Sequence, residues 1–110
     1  VKYMKKAAAN LKKYNCKMYY LSVNPVNSAM IKSVNGKART EAQVAAFNKA
    51  IYRRLCSGRN RSFTYINTCT NLQMKGWISK KTGTDIYDGV HYSNQTYLRI
   101  FDYCMRYLNR

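Results

Sequence analysis

Two β-rich runs, residues 18–23 and 62–66, are flanked and separated by segments of helical period, and this order constrains the fold more than any other feature. Tyr3, Met4, Ala7, Ala8 and Leu11 mark one face of a helix over residues 2–14, with lysines opposite. The first run ends at Asn24-Pro25, where proline withdraws a ladder donor. Residues 27–39 are polar, contain Gly36 and read as a loop. Thr40-Glu41-Ala42-Gln43 has the spacing of a capping box. It opens a helix over residues 41–56 whose predicted face is Val44, Phe47, Ile51 and Leu55, closed by Ser57-Gly58. Residues 67–92 read mostly as loop, with turn signals at Lys75-Gly76, Thr82-Gly83 and Asp88-Gly89. Ser93 or Asn94 caps a last helix over 94–108, with the stripe Tyr97, Ile100, Phe101, Cys104 and Leu108.

Strands separated by helices of this length imply crossovers and a parallel pair. A parallel pair is normally buried on both faces within a larger sheet, and two strands are too few for that. The chain therefore reads as part of an α/β domain. At 110 residues it counts as one domain, 1–110, with a modest core.

Composition bears on the partners. Twenty Lys+Arg face four Asp+Glu, a net charge of +16 with the single His neutral. Such a charge favours anionic surfaces: nucleic acid, acidic lipid or an acidic wall polymer. The acids are Glu41, Asp85, Asp88 and Asp102. A hydrophobic content of 46% argues against disorder of the weakly apolar, highly charged kind. No apolar run approaches the roughly 18–20 residues of a membrane span, and residues 1–11 lack the apolar stretch of a signal peptide. With Val1 rather than Met at its start, the chain reads as a mature product, a processed fragment or a cut piece.

Cys16, Cys56, Cys69 and Cys104 allow three fully paired connectivities. None has a CxxC or CxxxH spacing, so no zinc site is expected, and no other metal or cofactor. Two disulfides in an exported protein and four free thiols fit the count equally. Cys104, on the stripe of the last helix, can serve as a small hydrophobe.

The stretch Tyr20-Leu21-Ser22-Val23-Asn24-Pro25-Val26 is followed by Phe47-Asn48 in a helix and by Tyr65-Ile66-Asn67-Thr68. Asp88-Gly89-Val90-His91-Tyr92 then precedes the last helix, which contains Tyr97. In this order the blocks resemble the C-terminal half of an SGNH (GDSL-type) hydrolase, over nearly the whole chain. The resemblance implies a flavodoxin-like three-layer α/β fold and ester hydrolysis. It implies His91 as the general base and Asp88 as its orienting carboxylate, the Asp-x-x-His pair of a Ser-His-Asp triad. A serine hydroxyl needs a neutral imidazole to take its proton, and a carboxylate on the other ring nitrogen fixes the tautomer. Gly89 lets the turn between the pair bend sharply.

The family's nucleophile lies in a Gly-Asp-Ser block, with Gly and Asn donors to the oxyanion hole in further blocks. Neither Gly-Asp-Ser nor Gly-x-Asn-Asp occurs here, and both would precede Val1. Ser22 within a strand, Ser28 after the strand-end turn and Ser93 at a helix cap are poor substitutes. Asn67 stands where relatives often have Asp. The expectation is the base-bearing half of an ester hydrolase, inactive by itself. Its partners are then the missing N-terminal half, or a second copy paired across the open strand edge.

The alternative is a cationic antimicrobial or anion-binding effector that reuses half a fold and acts on lipid or wall polymer. Either reading places the chain outside the cell or on its surface. Nucleic acid is not expected as a specific partner, because no helix-turn-helix, zinc-finger, RRM or KH signature is present.

Overall fold

A computed structural model describes residues 1–35, 39–75 and 89–109. The order is α1 (Lys2–Lys12), β1 (Tyr19–Leu21), α2 (Ser28–Asn35), α3 (Glu41–Ile51), β2 (Thr64–Ile66), α4 (Thr68–Met74) and α5 (Asn94–Leu108). β1 and β2 pair in parallel, with Tyr19 opposite Thr64, Tyr20 opposite Tyr65 and Leu21 opposite Ile66. The described residues thus form a mixed α/β structure around a two-stranded parallel sheet. The helix–strand–helix–strand–helix order is present, with α2 and α4 added to it.

The ladder shows which side of β1 is in use. Thr64 N–H donates to the Met18 carbonyl at 2.8 Å, and Ser22 N–H donates to the Ile66 carbonyl at 3.0 Å. Backbone groups alternate sides along a strand, so those of Tyr19 and Leu21 face away from β2. Among the described residues no third strand takes them.

Local chemistry accounts for the helix ends. The predicted capping box is formed: Gln43 N–H donates to Thr40 Oγ1 at 3.1 Å, and Thr40 N–H donates to Gln43 Oε1 at 3.0 Å. Past Ile51 the α3 helix widens into a π-helical turn, Tyr52–Cys56, and Gly58 follows at φ +85°. The Leu55 carbonyl then accepts from both Ser62 and Phe63 N–H, which ties the end of that turn to the start of β2. α1 stops two residues short of the predicted end, because Asn15 turns left-handed at φ 59°.

Two stretches predicted as loop contain helices. α2 begins at Ser28 with Asn27 as its local cap, whose Oδ1 accepts from Met30 N–H at 3.4 Å, and with support from 13 residues away: Glu41 Oε1 accepts from Ser28 N–H at 2.9 Å and from Ser28 Oγ at 3.1 Å. Those two bonds hold the Glu41 carboxyl below its ordinary value. α4 starts on Asn67, whose Oδ1 accepts from Thr70 N–H at 3.0 Å. The predicted turns at Thr82-Gly83 and at Asp88, and Gly76 of Lys75-Gly76, lie outside the described residues.

The core divides in two. One cluster joins Ala8 of α1 to Ile51, Leu55, Cys56 and Phe63, with Met4, Met18, Tyr20 and Tyr65 packed against it. The other joins Val26, Ile31 and Val44, with Val23 and Val90 against it. The predicted helix faces are partly corrected. On α1 the buried residue is Ala8, while Tyr3, Ala7 and Leu11 are exposed. On α3, Asn48 rather than Phe47 turns inward, and Phe47 is 49% exposed. On α5 the apolar stripe is largely uncovered, with Phe101 59% exposed and Tyr97 and Leu108 also exposed. The four cysteines are free thiols. Burial pushes those of Cys56, Cys69 and Cys104 up, which keeps them protonated and poorly nucleophilic.

Candidate functional site

At the carboxyl ends of the two strands three stretches of chain are tied together by polar bonds. β1 runs on through Ser22, Val23 and Asn24 to Pro25, β2 runs into Asn67 and Thr68 of α4, and the segment 89–92 bonds to the β1 extension at Pro25 and Asn27. In open α/β sheets this end is where ligands bind.

Ser22 and Thr68 are its centre, both buried. Cys69 N–H donates to Ser22 Oγ at 2.9 Å, and Ser22 Oγ lies 3.2 Å from Thr68 Oγ1. Thr68 Oγ1 in turn reaches the Ser22 carbonyl and Asn24 Oδ1, each at 3.1 Å. With Ser22 donating to Thr68, each hydroxyl gives its one hydrogen, and the chain of bonds runs from the α4 backbone to Asn24. Ser22 therefore fastens the strand ends to α4.

Asn48 performs the matching task from α3. Its Oδ1 accepts from Val23 N–H at 2.8 Å, and its Nδ2 donates to the Val23 carbonyl at 2.9 Å. The amide side chain imitates a neighbouring strand for one residue, which is why a polar residue occupies the inward face of α3 at 7% exposure. Helical period alone selected Phe47 for that face. A signal was present in the sequence, since Asn48 also lies on the stripe of Val44, Ile51 and Leu55 at four- and three-residue steps.

The third contributor is the segment carrying His91. Gly89 sits at φ +83°, and its carbonyl accepts from Asn27 N–H at 2.8 Å. A Cβ there would lie 2.5 Å from the Asn27 carbonyl oxygen and 2.8 Å from Ile31 Cγ1, so only glycine fits. Tyr92 is 1% exposed, and its hydroxyl donates to the Pro25 carbonyl. Burial pushes the Tyr92 phenol far above its ordinary range, with Cys69 and Tyr97 adding to the shift. Tyr92 N–H donates to the Tyr97 hydroxyl at 3.2 Å, and Ser93 caps α5 through Thr96 N–H at 3.3 Å. The segment is thus clamped on both sides of His91, whose side chain is exposed.

Of the predicted pair, His91 lies in this clamp, while Asp88 lies outside the described residues, as does Asp85, the carboxylate three residues before it. Ser28 is engaged with Glu41, and Ser93 Oγ is engaged with the α5 N-terminus. Asn67, noted only as a departure from the family pattern, is the α4 cap. The roles of Thr68 and Tyr92 were not anticipated. No group of three or more His, Cys, Asp or Glu that could hold a metal occurs among the described residues. No protein-family model, no curated protein and no solved structure matches the chain.

Proposed function

We propose that this chain is the base-bearing C-terminal half of an SGNH-type ester hydrolase of flavodoxin-like fold, with His91 as general base and Asp88 as its orienting carboxylate. One observation carries the reading. The segment that leads into His91 is clamped to the carboxyl end of a parallel strand by Gly89 to Asn27 on one side and Tyr92 to Pro25 on the other. An imidazole at the carboxyl end of an open parallel sheet is placed to serve a nucleophile arriving at the same end of a neighbouring strand.

Of the serines weighed as substitutes, Ser22 and Ser93 are buried in structural bonds and Ser28 is held by Glu41; in this reading the attacking serine belongs to the Gly-Asp-Ser block of another segment. The side of β1 that no strand among the described residues occupies is where that segment, or in its absence a second copy, would add its strand. In the assembled site the neutral His91 imidazole takes the serine proton as the hydroxyl attacks the ester carbonyl. Asp88 holds the tautomer and stabilises the imidazolium, which then protonates the leaving alkoxide.

The test is complementation. The chain is mixed with an SGNH N-terminal half that carries the Gly-Asp-Ser block, and hydrolysis of an activated acyl ester is followed. Turnover is expected only from the mixture, with a loss of at least about a thousandfold for His91→Ala. Specific labelling of the chain alone by a fluorophosphonate at one serine would reject the reading. So would a mixture that assembles, by sedimentation, yet turns over equally well with His91→Ala.

A further inference from the structure

The opposite end of the sheet has a different character. Between the last turns of α1, the approach to β1 and the connection into β2 lies a cavity of about 440 Å³. Lys5, Lys12, Lys17, Arg59 and Arg61 line it, with no carboxylate among its described lining residues. All five cations are exposed, so they form a rim. Between them the lining includes buried Ala8 and Phe63 from the first core cluster, half-buried Met18, and the polar Asn60, Ser62 and Thr64.

The cations come from three separate stretches of chain, and the fold brings them to one concavity. Lys5 and Lys12 lie two helical turns apart on α1, about 10 Å along its axis. Arg59 and Arg61 stand across from them, and Arg61 Nη1 donates to the Gly58 carbonyl at 3.4 Å, which leaves its other donors for a ligand. Of the two acids among the described residues, Glu41 is bonded to Ser28 and Asp102 belongs to α5, so neither neutralises the rim.

We propose that this groove is a binding site for an organic phosphate ester, with the phosphate on the Lys and Arg rim. A guanidinium fork matches two phosphate oxygens, and lysines add point charge around them. One carboxylate would leave most of the rim uncompensated, whereas a phosphate ester brings up to two charges and three or four acceptor oxygens. The site stands independently of the hydrolase reading, since it lies at the other end of the strands and uses none of the same residues. Its chemistry is shared by a free glycerol phosphate and by the headgroup of an anionic phospholipid.

Binding of the full chain to vesicles of phosphatidylglycerol in phosphatidylcholine, beside pure phosphatidylcholine, separates this site from general cationic attraction. The groove variant combines Lys12→Gln, Arg59→Gln and Arg61→Gln. A control combining Lys49→Gln, Lys75→Gln and Arg106→Gln removes the same three charges from outside the groove. The groove variant is expected to lose affinity on the order of a hundredfold, about three surface cations' worth, and the control less than about threefold, because distant charges are screened. Equal losses in the two variants would overturn the proposal. A titration of the wild-type chain with sn-glycerol 3-phosphate, followed by amide shifts, distinguishes the sources. Shifts confined to Lys17, Arg59, Arg61 and Thr64 assign the free ester as sufficient. Shifts absent there, with vesicle binding still groove-dependent, assign the lipid-borne headgroup. Shifts scattered over the whole surface, with no groove dependence, reject both.

Discussion

The two ends of the β1–β2 sheet are built on opposite plans. At the carboxyl end, Ser22, Asn24, Asn48, Thr68 and Tyr92 are neutral and bond one another or the backbone around them. Among the described residues no buried side-chain nitrogen or oxygen lacks a partner. At the amino end, five exposed cations surround a cavity with no carboxylate in its described lining. The difference separates positioning from binding. A network that uses its donors and acceptors internally can hold a segment such as 89–92 in place and offers little to a ligand. A rim of unneutralised cations contributes little to rigidity and keeps its charge for an anion.

The sharpest way to break this comparison is to introduce a side chain at each end at a left-handed glycine. Gly89→Ala at the carboxyl end is expected to cost about 3–5 kcal/mol, from the backbone strain plus the clash with Asn27 and Ile31. Urea unfolding at neutral pH measures it. A cost below about 1.5 kcal/mol would mean that the 89–92 segment is not held as described.

Asn48→Ala comes next, at about 2–3 kcal/mol, since it strips both backbone groups of Val23 of their partners. Hydrogen exchange should show the Val23 amide losing protection while Tyr20, bonded within the sheet, keeps it. Uniform loss along β1 would instead point to a general weakening.

Tyr92→Phe is expected to cost about 1–2 kcal/mol by leaving the Pro25 carbonyl unpaired. It also carries a pH signature. The folded-state value of Tyr92 is raised above the ordinary 10.0, so its contribution is complete below pH 10 and is lost as pH rises beyond it. The stability gap between wild type and Tyr92→Phe should therefore narrow above pH 10. The thiols of Cys56 and Cys69 and the phenols of Tyr20 and Tyr65 shift in the same sense, so both proteins weaken in alkali.

Gly58→Ala, beside the basic groove, is the mildest. Its φ is also left-handed, at +85°, yet a Cβ there meets nothing within 4 Å. The cost should be about 1–2 kcal/mol, from the backbone alone. A Gly58 variant as damaging as the Gly89 variant would erase the contrast between the ends.

Much of the carboxyl end was legible before any coordinates. Thr40 and Gln43 specified a capping box because both partners lie within one turn of chain, and the box is formed. A cap at Ser93 or Asn94 was legible for the same reason, and Ser93 takes the place. α2 was not: Asn27 caps it locally, but a polar stretch containing Gly36 reads as loop, and the bonds from Ser28 to Glu41 span 13 residues. Phe47 was assigned inward on period alone, while the two backbone groups of Val23 determined that an amide should take that place. Of the proposed catalytic pair, the Asp-x-x-His spacing is present in the sequence, and the clamp around His91 became visible only with the neighbouring strand end in place.

Residues and their spacing were enough for α1, α3, α5, the two strands, their parallel order and the glycine that the His91 segment requires, though not for α2 and α4. Each of those follows from local period, local capping or the φ that one residue can adopt. Only the tertiary structure decided that Asn48 stands in for a strand, that Ser22 is a fastener and that Tyr92 closes on Pro25. It also decided that lysines and arginines from three stretches meet in one groove. The physical reason is the same in each case: hydrogen bonds and charge clusters between residues tens of positions apart depend on distances that sequence spacing does not contain.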